Sequence, residues 1–144
     1  MKKLSIILIL LLSPAISLAC KDMKLVETFP ITDFKKYSNI VVVKIDKSIH
    51  SDKYRYKPLV SFTATVLENI KGDLNEGISF SGKPKKEQAR AVCPVHLIEN
   101  GKYLLLLTNE SGAYVISRFS LPVISDNKYF SNYISQIKDA VKNE

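Results

Sequence analysis

The chain has 144 residues, with 21 Lys and Arg against 14 Asp and Glu, and a formal net charge of +7 at pH 7. This length is typical of one domain, and the 46% hydrophobic share is that of a globular protein. Two Cys and two His are too few to form a closed zinc cluster and also serve in any other site. No Gly-rich phosphate loop, GxSxG or HExxH motif occurs in the sequence. We therefore expect a protein that is not an enzyme and has no cofactor.

The first 19 residues are predicted to be a secretory signal peptide. Lys2 and Lys3 precede an apolar run, Leu4–Leu12, and small residues follow it up to Ala19. Such a run is too short to span a bilayer as a helix. We expect export to the periplasm or beyond the cell, with a single mature domain at 20–144.

Two roles are open for Cys20, the predicted first residue of the mature chain. It can carry the lipid anchor of a bacterial lipoprotein, although Ser17 stands where that signal usually has a leucine-like residue. In an oxidising compartment it can instead form a disulfide with Cys93, the only other cysteine. These roles exclude each other because lipidation consumes the sulfur.

The mature chain is predicted to be mainly β. Thr32 is expected to cap a short helix at Asp33–Tyr37, and alternation of apolar and polar residues predicts strands after it. Tyr103–Leu107 has no alternation, which is typical of a strand buried on both faces. The predicted strands are Ile40–Ile49, Leu59–Ile70, Ile78–Ser81, Tyr103–Leu107 and Ala113–Phe119.

A C-terminal helix is predicted because apolar residues recur at helical spacing between Tyr129 and Val141. Five short strands with a short N-terminal helix and this amphipathic C-terminal helix predict a five-stranded, closed barrel of the OB type.

This arrangement resembles the N-terminal domain of the tissue inhibitors of metalloproteinases, a netrin-like OB fold that also occurs as a binding module without inhibitory activity. The resemblance covers about Cys20–Val123 and suggests a stand-alone, bacterial-type form. The features that carry it are Cys20, Asn39–Lys44, a long strand ending in Lys71–Gly72, Ala91–Cys93, Tyr103–Leu107 and Tyr114–Ile116.

The resemblance implies a mode of inhibition. The α-amino nitrogen and carbonyl oxygen of Cys20 would chelate the catalytic zinc of a metalloprotease, which keeps an open coordination position for water. A disulfide to Cys93 would hold Cys20 in place. Lys21 would lie at the specificity pocket, where the family has a small side chain. Asp22 and Arg118 fall where the family has another disulfide, and we predict an ion pair between them.

Two basic segments have alternative interpretations. Tyr54, Arg55 and Tyr56 lie in a basic, aromatic stretch that in an OB fold suggests nucleic-acid stacking. Export argues against nucleic acid, and leaves a solvated loop or, by resemblance, a loop that contacts the protease. Lys83, Lys85, Lys86 and Arg90 predict a solvated basic loop, for which an anionic envelope or membrane surface is a candidate partner.

The histidines suggest two further sites that the sequence does not support. Cys93 and His96 could form a nucleophile pair, but the expected disulfide would consume the thiol. The spacing of His50, His96 and any carboxylate matches no metal motif, so we expect no metal of the protein's own. Two function classes remain: an inhibitor acting through a free Cys20 amine, and a non-inhibitory module of the cell envelope, alternatively lipid-anchored at Cys20.

Overall fold

The computed structural model describes residues 27–144 except 56, 86–94, 118–119 and 121. Within these residues, six strands and one helix follow each other along the chain. They are β1 (Asn39–His50), β2 (Leu59–Lys71), β3 (Ser79–Pro84), β4 (Lys102–Glu110), β5 (Ala113–Ile116), β6 (Val123–Ile124) and α1 (Phe130–Lys142).

The sheet closes into a barrel. Its strand order is β1-β2-β3-β5-β4, and β4 pairs back onto β1 between Asn39–Leu107 and Lys44–Lys102. The β3–β5 pair is parallel, and the other pairs are antiparallel. The predicted mainly β fold, a five-stranded OB-type closed barrel with a C-terminal helix, is confirmed. The two-residue β6, which pairs with β4, was not predicted.

The barrel interior is filled by inward-facing side chains of alternating positions, as the period of two requires. On β1 these are Val41, Val43 and Ile45, and on β4 they include Leu105 and Leu107. The outward-facing Ile40 and Val42 of β1 and Leu104 and Leu106 of β4 are also buried, because a second layer covers the outside of the barrel there. Lys44, farther along β1, is exposed. The prediction that Tyr103–Leu107 is buried on both faces is therefore confirmed.

Helix α1 and the segment 27–38 form that second layer. Tyr133 and Ile137 of α1 are fully buried against Ile40 and Leu106 of the barrel, in one apolar cluster. The Phe29 backbone N–H donates a hydrogen bond to Gln136 Oε1 at 2.9 Å, and so joins the N-terminal segment to the helix. The predicted C-terminal helix is thus present, and its apolar stripe faces the barrel.

The predicted helix at Asp33–Tyr37 is wrong. The segment makes a single turn, in which the Tyr37 N–H donates to the Phe34 carbonyl at 3.1 Å. The spacing of Phe34 and Tyr37 does not reflect a helix. Both side chains are apolar because they are buried in the same cluster as the apolar face of α1. One isolated turn fixes many dihedral angles for few hydrogen bonds, so five residues do not propagate a helix.

Two strand details also differ from the predictions. β3 continues to Pro84, beyond the predicted strand end at Ser81 and into the predicted basic loop at Lys83, because Gly82–Pro84 pair with β5. A regular alternation along the predicted strand Leu59–Ile70 would place Val60 on the same face as Phe62, but Val60 is 50% exposed while Leu59 and Phe62 are buried. The ladder shifts register at this point, since Leu59 pairs with His50 and Ser61 with Ile49, so Val60 is an extra residue of a bulge.

Among the residues that the structure describes, no helix combines the length and the apolar character needed to cross a membrane.

Candidate functional site

A groove of about 530 Å³ lies on the outside of the barrel. This volume is within the range of sites that hold small molecules or short segments of a partner, roughly 300–1,000 Å³. Three separate parts of the chain form it: the β1–β2 loop, the end of β3 and the β4–β5 turn. The lining residues are Ser51, Lys53, Tyr54, Leu59, Val60, Lys83, Pro84, Glu110, Ser111 and Val115.

The groove combines apolar and charged surface. Its apolar residues include Val60, which is half exposed, and Val115, which is almost fully buried. Its charged residues are Lys53, Lys83 and Glu110. The two basic segments that the sequence presents far apart therefore contribute to one surface. That surface places apolar area beside two positive charges and one negative charge.

The β1–β2 loop that forms one wall is held by its own backbone. The Ser51 N–H donates to the Pro58 carbonyl at 2.9 Å, and the Lys57 N–H donates to the Tyr54 carbonyl at 3.0 Å. The Lys53 N–H donates to the Ser51 hydroxyl at 3.2 Å. A loop closed in this way loses little conformational entropy when it binds a partner.

The β4–β5 turn forms another part of the groove. Ser111 and Gly112 both have positive φ, 55° and 81°, which matches the type I′ turn that suits a two-residue hairpin. The Gly112 N–H also donates to Asn109 Oδ1 at 3.0 Å. The turn holds Glu110 and Ser111 at the groove.

A pair of histidines joins the base of the β1–β2 loop to the segment before β4. The rings of His50 and His96 stack with their centres 5.6 Å apart and their planes 21° from parallel. His50 Nδ1 lies 3.0 Å from the Lys57 carbonyl oxygen. Because a carbonyl only accepts, this contact assigns the ring proton to Nδ1 of His50.

The neighbouring residues fix the position of His96. Val95 and Leu97, on either side of it, are buried in the barrel core, while the His96 side chain is at the surface. Desolvation lowers the pKa of His96, and the positive charge available to His50 lowers this pKa further. The imidazole therefore favours its neutral form.

The structure describes part of the predicted site. Tyr54 lines the groove, and Arg55 is exposed in the same loop. Of the predicted basic loop, Lys83 lines the groove and Lys85 is half-buried just after β3. The remaining predicted site residues lie outside the described residues, and so do the predicted signal peptide, the Cys20–Cys93 disulfide and the Asp22–Arg118 ion pair. These residues are Cys20, Lys21, Asp22, Tyr56, Lys86, Arg90, Cys93 and Arg118.

Sequence reasoning missed several groove residues, among them Glu110, Ser111 and Val115. A usable signal existed, because the β1–β2 and β4–β5 loops flank the binding face of OB folds, and Ser111–Gly112 is recognisable as a turn. Sequence reasoning also dismissed the histidine pair, which the fold brings together. Within the described ranges, no group of three or more His, Cys, Asp or Glu side chains could hold a metal ion.

Comparison of the sequence with protein-family models and with curated proteins finds no match.

Proposed function

We propose that this chain is an exported, inhibitor-like binding protein whose partner is a zinc metalloprotease. In this proposal the signal peptide is removed after Ala19, and Cys20 presents its α-amino nitrogen and carbonyl oxygen to the zinc of the protease. The single observation that supports it best is the contact between His50 and His96.

The contact matters because of what each histidine is attached to. His50 ends β1 and begins the loop that carries Tyr54 and Arg55, and His96 follows Cys93 by three positions. If Cys20 is bonded to Cys93, the chelating amine and this loop belong to the same end of the barrel. One protease could then contact both.

Rigidity also supports the proposal. Val95 and Leu97 are buried on either side of His96, and the β1–β2 loop is closed by backbone hydrogen bonds. A wedge that is ordered before binding gives up little entropy when it enters an active site. The zinc of such a protease keeps one position open for water, which a bidentate ligand displaces.

A second candidate function is a non-inhibitory module of the cell envelope, lipid-anchored at Cys20 or free. The groove favours it, because Lys53 and Lys83 stand beside apolar surface and could attract an anionic membrane surface. In this case the partner is held by the groove, and the α-amino group of Cys20 has no role.

Two measurements on the mature protein distinguish the candidates. The intact mass shows whether Cys20 is acylated, and an acylated amine cannot chelate, so acylation would overturn the inhibitor proposal. Inhibition of at least one member of a panel of zinc endopeptidases by the unacylated chain would support it.

The second candidate has its own test with a matched control. Co-sedimentation with anionic phospholipid vesicles should weaken in Lys83→Glu, at the groove, and should stay unchanged in Lys142→Glu, an equal charge change on the exposed end of α1. Equal losses in the two variants, or no sedimentation of the native chain, would reject the groove as the contact surface.

A further inference from the structure

We propose that the stacked pair of His50 and His96 is a pH-sensitive contact. While at least one ring is neutral, the stack holds the base of the β1–β2 loop against the segment before β4. When both rings are protonated, the stack separates and the loop is held less firmly. This goes beyond the proposed function, because it concerns the loop itself and needs no protease.

The stacking geometry carries the proposal. The chain has two histidines, and the fold brings them together from distant positions. Their rings face each other, with centres 5.6 Å apart and planes 21° from parallel. A neutral ring can stack on a second neutral ring or on a protonated one, since positive charge is attracted to a π face. Two protonated rings repel each other, so the contact depends on the charge of the pair.

The hydrogen bond of His50 ties its ring to the loop. The Nδ1 atom lies 3.0 Å from the carbonyl oxygen of Lys57, at the far end of the loop. A proton is present on Nδ1 in the neutral ring bonded in this way and in the protonated ring, which gains its second proton on Nε2. His50 therefore stays bonded to the loop in both states, and the contact that breaks is the one with His96.

The backbone of Lys57 shows that the loop depends on its contacts. Its φ is 40°, in the left-handed region that residues with a side chain rarely adopt. Its N–H donates to the Tyr54 carbonyl at 3.0 Å, and its carbonyl accepts from His50. A residue keeps such a conformation only while its surroundings determine it. Loss of the stack removes one of the contacts that hold His50, and so weakens this arrangement.

The charged groups around the histidine pair are engaged elsewhere or are positive. In the loop, Asp52 forms an ion pair with Lys57 at 3.4 Å, and Lys53 adds a positive charge. In the segment before β4, Glu99 Oε1 accepts a hydrogen bond from the Ser48 N–H at 3.1 Å. The first residues of β2, which pair with the end of β1, carry no charge. Two protonated rings would therefore face each other without a dedicated counter-charge among the described residues.

The titration of His96 agrees with this environment. Desolvation lowers the pKa of His96, and the positive charge available to His50 lowers it further. Among the residues that the structure describes, no carboxylate counters these effects on His96. Val95 and Leu97 are buried on either side, so the backbone at His96 cannot follow the loop when the rings separate.

The consequence of separation lies at the groove. Ser51, Lys53 and Tyr54 of the loop line it. A partner held in the groove should therefore bind less tightly at acid pH, because part of its binding surface must first be ordered again.

The first test is an NMR titration of the two histidine rings in the mature chain. His50→Gln removes both the stacked ring and its charge, so the pKa of His96 should rise toward the ordinary value of 6.5. An unchanged titration of His96 in this variant would overturn the proposal, because neither ring would then sense the other.

The second test is hydrogen exchange of backbone amides, with each rate divided by its intrinsic rate at the same pH. Protection of the Ser51 and Lys57 amides should fall by up to about tenfold for each pH unit between 6.5 and the folded-state pKa of His96. The Gly112 amide is the internal control. It is hydrogen-bonded in the β4–β5 turn, which has no histidine, and its protection should not change.

Two substitutions at position 96 bracket the native behaviour. His96→Phe keeps a ring that can stack but cannot be protonated, so the loop amides should stay protected at acid pH. His96→Ala removes the ring, so these amides should exchange at neutral pH as they do in the native chain at acid pH. The proposal is overturned if native protection does not depend on pH, if the Phe variant loses protection at acid pH, or if the Ala variant is protected like the native chain at neutral pH.

Discussion

The ring of Phe62 lies directly against the backbone of Gly82, so that a side chain at position 82 has no room. A Cβ atom built there would overlap the Phe62 ring, with its Cε1 at 2.7 Å. Because of this close approach, Gly82 of β3 pairs with Phe62 of β2. The next two residues of β3, Lys83 and Pro84, line the groove. Barrel packing and groove geometry therefore depend on the same contact.

Gly82→Ala should destabilise the protein by about 1–3 kcal/mol, the usual effect of overpacking a filled core. Urea unfolding measures it. The double variant Gly82→Ala with Phe62→Leu should be more stable than the sum of the two single effects predicts, since the smaller side chain makes room for the new methyl group. Strictly additive effects would show that the Phe62 ring is not the cause.

Asn39 links the start of β1 to the β2–β3 turn. It is buried, and its Oδ1 accepts hydrogen bonds from the backbone N–H groups of Asp73 at 3.0 Å and Leu74 at 3.2 Å. Asn39→Ala should destabilise the protein by about 2–4 kcal/mol, because two donors lose their partner. Asn109→Ala, which removes a similar bond in the exposed β4–β5 turn, should have less than about 1 kcal/mol of effect. Equal losses in urea unfolding would contradict this explanation.

His96 should make the free energy of unfolding depend on pH. Its pKa in the folded chain is lowered from the ordinary value of 6.5, so the unfolded chain takes up a proton more readily. Above pH 6.5 His96 is neutral in both states, and its effect on the free energy of unfolding is constant. As the pH falls from 6.5 through the folded-state pKa, the unfolded chain is protonated first, so the free energy of unfolding decreases. His96→Gln should therefore have a smaller slope of stability against pH in this window. Equal slopes would mean that His96 does not titrate differently on folding.

Much of the barrel could be predicted because its signals are local. Val41, Val43 and Ile45 alternate along β1, and the uninterrupted apolar run of β4 indicates burial on both faces. Val60 escaped prediction because the bulge that turns it outward depends on the register with β1. A shift of register between two strands cannot be read from the order of apolar and polar residues in one of them.

The candidate site was harder to predict than the fold because it consists of long-range contacts. Lys53 and Lys83 each belong to a basic stretch that, taken alone, is typical of a solvated loop, and only strand pairing brings them to one groove. His50 and His96 likewise match no spacing motif, and they meet because β1 and the segment before β4 end on the same side of the barrel.

The predicted Cys20–Cys93 disulfide should be present in protein isolated from the exported fraction. It would close a loop of roughly 70 residues and stabilise the fold by about 4 kcal/mol in the chain-entropy model. Alkylation without reduction, followed by mass spectrometry, should label neither cysteine, and alkylation after reduction should label both. Two thiols that react without reduction would contradict the prediction.

The central claim is that the N-terminus of the mature chain inhibits a zinc metalloprotease, and one measurement tests it most directly. Inhibition constants are determined on a panel of zinc endopeptidases for the native mature chain and for the same chain with one alanine added before Cys20. The added residue moves the α-amino group away from Cys20, and circular dichroism checks that the fold is kept. We expect the native chain to inhibit at least one protease and the extended chain to inhibit it much more weakly. In the extended chain the Cys20 nitrogen is a peptide amide, which has no free lone pair for zinc, and the new α-amino group lies one residue away from the position that the bond to Cys93 would hold. If the two chains inhibit equally, or if neither inhibits any protease, the account is contradicted.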